Sequence, residues 1–190
     1  YDAAVMHPYV STNTFMLNDV AANVMFSAFK TTTNRIHEFK NHNPGVPLLF
    51  TEWSILSSGT PVNFVQTLSL ADMFLAIEKG NQDGIVMQAG IHMLYHSDAY
   101  KEATLTYYDG NKMVLTAIGV MYAELFNSFK GKTLYNAISS SAELSSGLPA
   151  VNGKAIEDGD SIRVFVVNKL PVASPLKVMV DGEALTGNYS

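Results

Sequence analysis

The chain has 190 residues, 47% hydrophobic and 15% charged, with a net charge of −5 and no cysteine. This length fits one domain or one and a half and buries about 70% of the unfolded surface without a metal or disulfide staple, while the apolar content excludes intrinsic disorder. The acidic balance without a basic run argues against nucleic acid, absent cysteine excludes a thiol nucleophile or cysteine zinc site, and no window offers the roughly 20 apolar residues of a membrane helix.

The opening residues, Tyr1-Asp2-Ala3-Ala4-Val5-Met6-His7-Pro8, carry neither an initiator Met nor a basic leader, so no signal peptide is read there. Their abrupt apolar start reads as a piece of a larger protein. Ala3 to Met6 has the pattern of a buried parallel strand ending in polar residues. Asn18-Asp19 has the form of a helix N-cap. Val20, Val24, Phe26, Phe29, Ile36 and Phe39 then recur at mostly helical spacing until Asn41-His42-Asn43-Pro44-Gly45. Pro47 to Thr51 is a second buried strand, followed by Glu52-Trp53. Asn63 to Lys79 is the next helix, with Phe64, Leu68, Leu70, Met73, Phe74 and Ile77 on its apolar face and Gly80 as its C′ residue. Gly84 to Gln88 is a third strand. Residues 96 to 111 form a polar loop with a turn at Asp109-Gly110-Asn111, and Lys112 to Phe129 is a third helix.

This β-α-β-α-β-α order builds either an open α/β sheet or a (β/α) barrel. After Gly131 the grammar changes. Thr133 to Ala137, Ser161 to Asn168 and Leu176 to Val180 are β-rich segments between Gly, Asp, Asn and Pro, and a β-sandwich module is the simplest reading.

The residue types at the strand ends carry the chemistry. In a (β/α) barrel the C-terminal strand ends converge on the active site. Glu52 stands at such an end beside Trp53, a large aromatic that can stack on a sugar face; the plainer alternative is a solvated Glu at a strand-to-loop junction. His7 and Tyr9 occupy the same place one strand earlier, and Gln88 and His92 one strand later, so that three strands deliver polar side chains to one rim. His92-x-x-x-His96 has metal-ligand spacing, but apolar residues intervene and no third ligand is evident, so neither a metal nor a cofactor is expected. Tyr107-Tyr108 is either packing or a sugar-binding loop, and Met73, Met113 and Met121 read as core. No glycine-rich phosphate loop or serine elbow is present, which disfavours a doubly wound nucleotide-binding domain.

The stretch Asp2-Ala3-Ala4-Val5-Met6-His7-Pro8-Tyr9, with Leu49-Phe50-Thr51-Glu52-Trp53 some forty residues later, resembles strands six and seven of the clan A retaining glycoside hydrolases. It is most similar to the alpha-L-arabinofuranosidase family, with its His-x-Tyr and Glu-Trp pairs, and related patterns occur in beta-xylosidases and agarases. Val86 to His92 resembles strand eight, Thr116 to Phe129 the closing helix, and Phe165-Val166-Val167-Asn168 a strand of the C-terminal β-sandwich.

The resemblance implies the C-terminal part of a (β/α)8 TIM barrel over residues 1–131, followed by an antiparallel β-sandwich over 132–190. It implies a retaining glycosidase acting on plant or algal polysaccharide. Glu52 would be the nucleophile, Tyr9 would hydrogen-bond it, and His7 would line the sugar subsite. Gln88 or His92 would reach the sugar hydroxyls, and Trp53 would be a packing wall or a sugar platform. The pattern departs from the family in one respect. No Asn-Glu pair carrying the acid/base occurs in the chain, and about 250 residues make a whole barrel. The expected partners are therefore an oligosaccharide or polysaccharide and the remainder of the barrel, with a homo-oligomer left open and neither membrane nor nucleic acid. A secreted or periplasmic setting is slightly favoured over a cytoplasmic one. The rival reading is a non-catalytic carbohydrate-binding or structural protein with a degenerate barrel.

Overall fold

A computed structural model describes residues 2–12, 19–57, 64–95, 104–129, 132–133, 142–173, 175, 177, 179–180 and 182–184. Strands β1 (Ala4–Met6) and β2 (Tyr9–Thr12) are two halves of one line, interrupted at His7-Pro8. Proline has no N–H to give to a ladder, and the break falls where the polar residues begin. Helix α1 (Asp19–Phe26) and helix α2 (Ala28–His42) replace the single helix expected from the periodicity. The division comes at Ser27, whose hydroxyl donates to Val24 O at 2.7 Å and so competes with the backbone ladder. Asn18, read as part of the cap, lies outside the described residues. At the far end the Asn43 backbone N–H and side-chain amide both donate to Phe39 O.

Strand β3 (Leu48–Ser57) runs well past the expected Thr51. It is central, pairing in parallel with β1 along Leu48 to Phe50, with β2 along Ser54 to Ser57, and with β4 (Val86–Ile91) on its other side. Helix α3 (Phe64–Gln82) connects β3 to β4 and is buried nearly all round, because it has neighbours on every side: the parallel sheet, α1, α2 and the elements that follow. Gly80 is not the C′ residue. It lies inside α3, where a Cβ would stand 2.8 Å from Val86 Cγ2 and 3.0 Å from Ile36 Cδ1. The left-handed position is Gly84, at φ +67°.

The loop expected at 96–111 contains strand β5 (Thr106–Tyr108), which pairs with β6 (Met113–Leu115) in an antiparallel hairpin. Its turn is the expected one, with the Asp109 carboxylate accepting from the backbone N–H groups of Asn111 and Lys112. The third helix therefore starts later than its apolar pattern indicates. Helix α4 (Ala117–Ser128) begins after Thr116, whose hydroxyl accepts from Gly119 N–H. Met113, expected in the core, is 51% exposed on the hairpin, whereas Met73 is buried and Met121 packs on the core.

Strand β7 (Lys132–Thr133), strand β8 (Val151–Asp158) and strand β9 (Ser161–Asn168) form an antiparallel sheet in that order, and β10 (Met179–Val180) pairs with β11 (Glu183–Ala184). Residues 134–137, read as strand, lie outside the described residues. Among those described, the three-stranded sheet packs on α3 rather than on a second sheet, so the expected sandwich is not seen there. The joint is polar at its centre. Asp72 of α3 receives Lys169 Nζ at 2.9 Å and the Asn152 side-chain amide. It also takes a backbone bond from Phe29 in the first turn of α2, where N–H groups have no helical partner. Burial pushes the Asp72 carboxyl above its ordinary value, and the Lys169 ammonium is the main opposing influence. No helix among the described residues is long and apolar enough to cross a membrane.

Candidate active site

Parallel pairing brings the ends of three strand lines to one rim, and the register of β3 decides which side chains meet there. Phe50 stands opposite Ala89 and Trp53 opposite Ile91. Thr51 and Glu52 thus share the span of Gly90 alone, which is a β-bulge. A bulge re-aims the side chains it carries. Gly90 accommodates it: a Cβ there would meet Thr51 O at 3.2 Å. Strict alternation would send Thr51 and Glu52 to opposite faces; instead both reach the group formed by His7, Tyr9 and His92.

Glu52 Oε2 is the centre of that group. It accepts a hydrogen bond from the Tyr9 hydroxyl at 2.6 Å. His7 Nδ1 and His92 Nδ1 each stand 3.6 Å from the same oxygen. The Glu52 side chain is 41% exposed, so the carboxylate is both held and reachable. The Tyr9 hydrogen bond holds its carboxyl below the usual value; partial desolvation opposes this, and the two histidines assist. Short hydrogen bonds to an ionised acceptor are the stronger kind.

Backbone and side-chain bonds fix the surroundings. His92 N–H donates to Trp53 O at 3.0 Å, tying the end of β4 to β3. Arg35 of α2 donates to Tyr9 O at 3.0 Å. The His92 ring meets the Tyr9 ring edge-on at 6.0 Å. His7 Nε2 lies 2.7 Å from Thr51 Oγ1, a contact that sequence reasoning missed, since strict strand alternation puts Thr51 on the face opposite Glu52. His7, Tyr9, Glu52 and His92 are thus brought together, and of the alternatives left open on the third strand it is His92 that stands at the carboxylate.

Trp53 and Gln88 are placed elsewhere. The Trp53 ring is 1% exposed and packs against Phe74 and Tyr122, each with centroids at 6.3 Å. This is the packing wall: the ring goes under α3 and α4 because the residue follows the bulge. Gln88 is opposite Leu49, deeper along β4, and lines a cavity of about 470 Å³ together with Trp53, Phe74 and Tyr122. Neither side chain is recorded in contact with Glu52. His96 lies outside the described residues, and among those described no three His, Asp or Glu side chains converge as a metal site. Tyr107 and Tyr108 belong to the β5–β6 hairpin, opposite Val114 and Met113.

No protein-family model and no curated protein matches the sequence. Solved structures do. The GH51 arabinofuranosidase from Xanthomonas axonopodis pv. citri superposes with a TM-score of 0.61 at 16% identity, over 90% of this chain and 39% of that one. The alpha-L-arabinofuranosidase from Thermotoga maritima, solved with arabinose, gives 0.59 at 14% identity, over 88% and 38%. A beta-porphyranase of glycoside hydrolase family 86 from Bacteroides plebeius gives 0.51 at 16% identity, over 88% and 30%. The chain spans about two-fifths of the length of the first two. Fold is what such identities carry, and by that measure the chain has a mixed α/β, glycosidase-like fold whose solved neighbours are clan A glycoside hydrolases.

Proposed function

We propose that this chain is the C-terminal part of the (β/α)8 barrel of a retaining glycoside hydrolase, similar to alpha-L-arabinofuranosidases and acting on plant or algal polysaccharide. Residues 1–131 contribute to the barrel, and 132–190 belong to an accessory β-domain. The observation that carries the reading is the 2.6 Å hydrogen bond from Tyr9 to a partly exposed Glu52, at a parallel strand end flanked by two histidines. A carboxylate kept ionised and oriented in this way is prepared to attack an anomeric carbon, forming a glycosyl-enzyme that water then hydrolyses.

His7 and His92 border the sugar on either side of Glu52. Thr51 sets the ring of His7 through its Nε2 contact. The acid/base carboxyl, about 5–5.5 Å from the nucleophile in retaining enzymes, comes from the rest of the barrel. The clefts beside the outer strands support that completion: one runs under Met6 and His7, the other beside Met87 and Gln88.

The test is stereochemical and chemical together. Proton NMR of the first turnover by the complete enzyme should show retained configuration, because two inversions cancel. A mechanism-based fluorinated or epoxide sugar should label Glu52 on the Phe50-Thr51-Glu52-Trp53 peptide. Glu52→Gln should remove turnover by several orders of magnitude while leaving substrate affinity nearly unchanged. Near-normal turnover in Glu52→Gln would remove Glu52 from the nucleophile role, sugar binding without turnover in the parent protein would transfer the case to a non-catalytic carbohydrate-binding protein, and an inverted product would limit Glu52 to acting as a base on water.

A further inference from the structure

A cavity of about 330 Å³ lies where α1 and α2 meet the antiparallel sheet, within the range of roughly 300–1,000 Å³ found for small-molecule sites. It shares no lining residue with the Glu52 group. Its wall is amphipathic. Phe26, Phe29, Leu148 and Pro149 supply apolar surface on which the C–H face of a ring can lie.

Among the described residues the polar part of the lining consists of a hydroxyl, amides and two ammonium groups, one of them paired with Asp72 behind the wall. Lys169 lines the cavity with its side chain 1% exposed. An ammonium has three donors. One bond, to Asp72 Oδ2, is recorded for this one, so its other N–H groups require acceptors that the described residues do not supply. The Thr33 hydroxyl is shielded from solvent and has no hydrogen-bond partner. Asn152 uses its NH₂ group on Asp72, which leaves its carbonyl oxygen available. At the rim, exposed Lys30 and Asn34 have no ion pair or side-chain hydrogen bond among the described residues, and Lys30 adds a positive charge.

We propose that this cavity binds an acidic saccharide unit, a sugar ring bearing a carboxylate or a sulfate, at a site separate from Glu52. The anionic oxygens fill the open donors of Lys169 and Thr33 and complement Lys30. The ring hydroxyls engage Asn152 and Asn34, and the apolar ring face covers Phe26 and Phe29. A neutral sugar fits the wall but leaves the cationic side with weaker acceptors. A simple aliphatic acid satisfies the charge and leaves the amides unused.

Calorimetric titration of the protein with galacturonic acid, galactose 6-sulfate and galactose tests this. At least one acidic sugar should bind about tenfold or more tighter than galactose, the scale of a hydrogen bond to a charged group. Which acid binds names the anionic group. Lys30→Ala combined with Asn34→Ala, both at exposed helix positions, should weaken that binding about tenfold. The same change should leave the melting temperature and the turnover of a small chromogenic glycoside as they were, so that the result is read independently of Glu52. Equal affinity for galactose, no binding of either acid, or an affinity indifferent to the double change would overturn the proposal.

Discussion

Replacing Lys169 by Met keeps most of the apolar stem and deletes the ammonium that stands 2.9 Å from Asp72 Oδ2. Both side chains are closed to solvent, at 1% and 0% exposure. Removing one partner of a buried pair costs roughly 3–5 kcal/mol. Here the loss is limited in two ways. Asp72 keeps its bonds from Asn152 and from the Phe29 backbone, and its carboxyl can take up a proton. The second limit depends on pH. Burial already raises Asp72 above its ordinary 3.8 against the pull of Lys169, and loss of Lys169 raises it further. A carboxyl raised by folding contributes stability that is fully present below the unfolded value. That contribution is lost as pH rises through the folded one, at about 1.4 kcal/mol per pH unit for one proton. Lys169→Met should therefore match the parent most closely in acid and fall behind toward neutral pH. Urea unfolding followed by circular dichroism at about pH 5 and about pH 7.5 reads this directly. Adding Asp72→Asn should recover part of the loss, a coupling of about 0.5–3 kcal/mol. A stability gap of equal size at both pH values, or strict additivity of the two changes, would refute the reasoning.

Tyr9→Phe removes the largest influence that lowers the Glu52 carboxyl, so the acid limb of the kcat/KM profile should move to higher pH; an unmoved limb would mean that Glu52 is not the group titrating there. Trp53→Phe should lower stability by about 1–3 kcal/mol, because it opens space beside Phe74 and Tyr122, with KM unchanged; a raised KM at full stability would restore Trp53 as a sugar platform. Gly119→Ala puts a Cβ within 2.0 Å of the Leu105 backbone oxygen, and an overpacking cost of about 1–3 kcal/mol should appear as a lower melting temperature.

The parallel strands were legible because their apolar runs, such as Pro47 to Phe50, are nearly continuous. The ends of elements were harder to see. Ser27 divides a helix whose apolar spacing passes through it unbroken, and Met113 to Leu115 look helical until the hairpin with Thr106 to Tyr108 claims them. Strand β8 was missed altogether. Its buried run includes Lys154, a residue that reads as solvent-facing, and its burial follows from the Glu78 carboxylate 3.5 Å away on α3. That partner is distant in sequence, and no local pattern announces it. The same holds for Lys169, whose place in the interior depends on Asp72.

At the site, the residue types were visible and their directions were not. His7, Tyr9, Glu52 and His92 could each be assigned to a strand end, but a period of two gives Thr51 and Trp53 one face and Glu52 the other. The bulge opposite Gly90 changes that division: Thr51 joins Glu52 at the rim, and Trp53 passes to the helix side. One extra residue in β3 thus separates Trp53 from Thr51, and Glu52 and Trp53 serve separate tasks. Glu52 takes its hydrogen bond from a side chain at the strand end, and its carboxylate stays open to a substrate. Trp53 anchors the same backbone to α3 and α4 through Phe74 and Tyr122, while its carbonyl holds His92 N–H. The packing wall and the carboxylate therefore share one stretch of backbone, and the ring of Trp53 is what fastens that stretch to the helices.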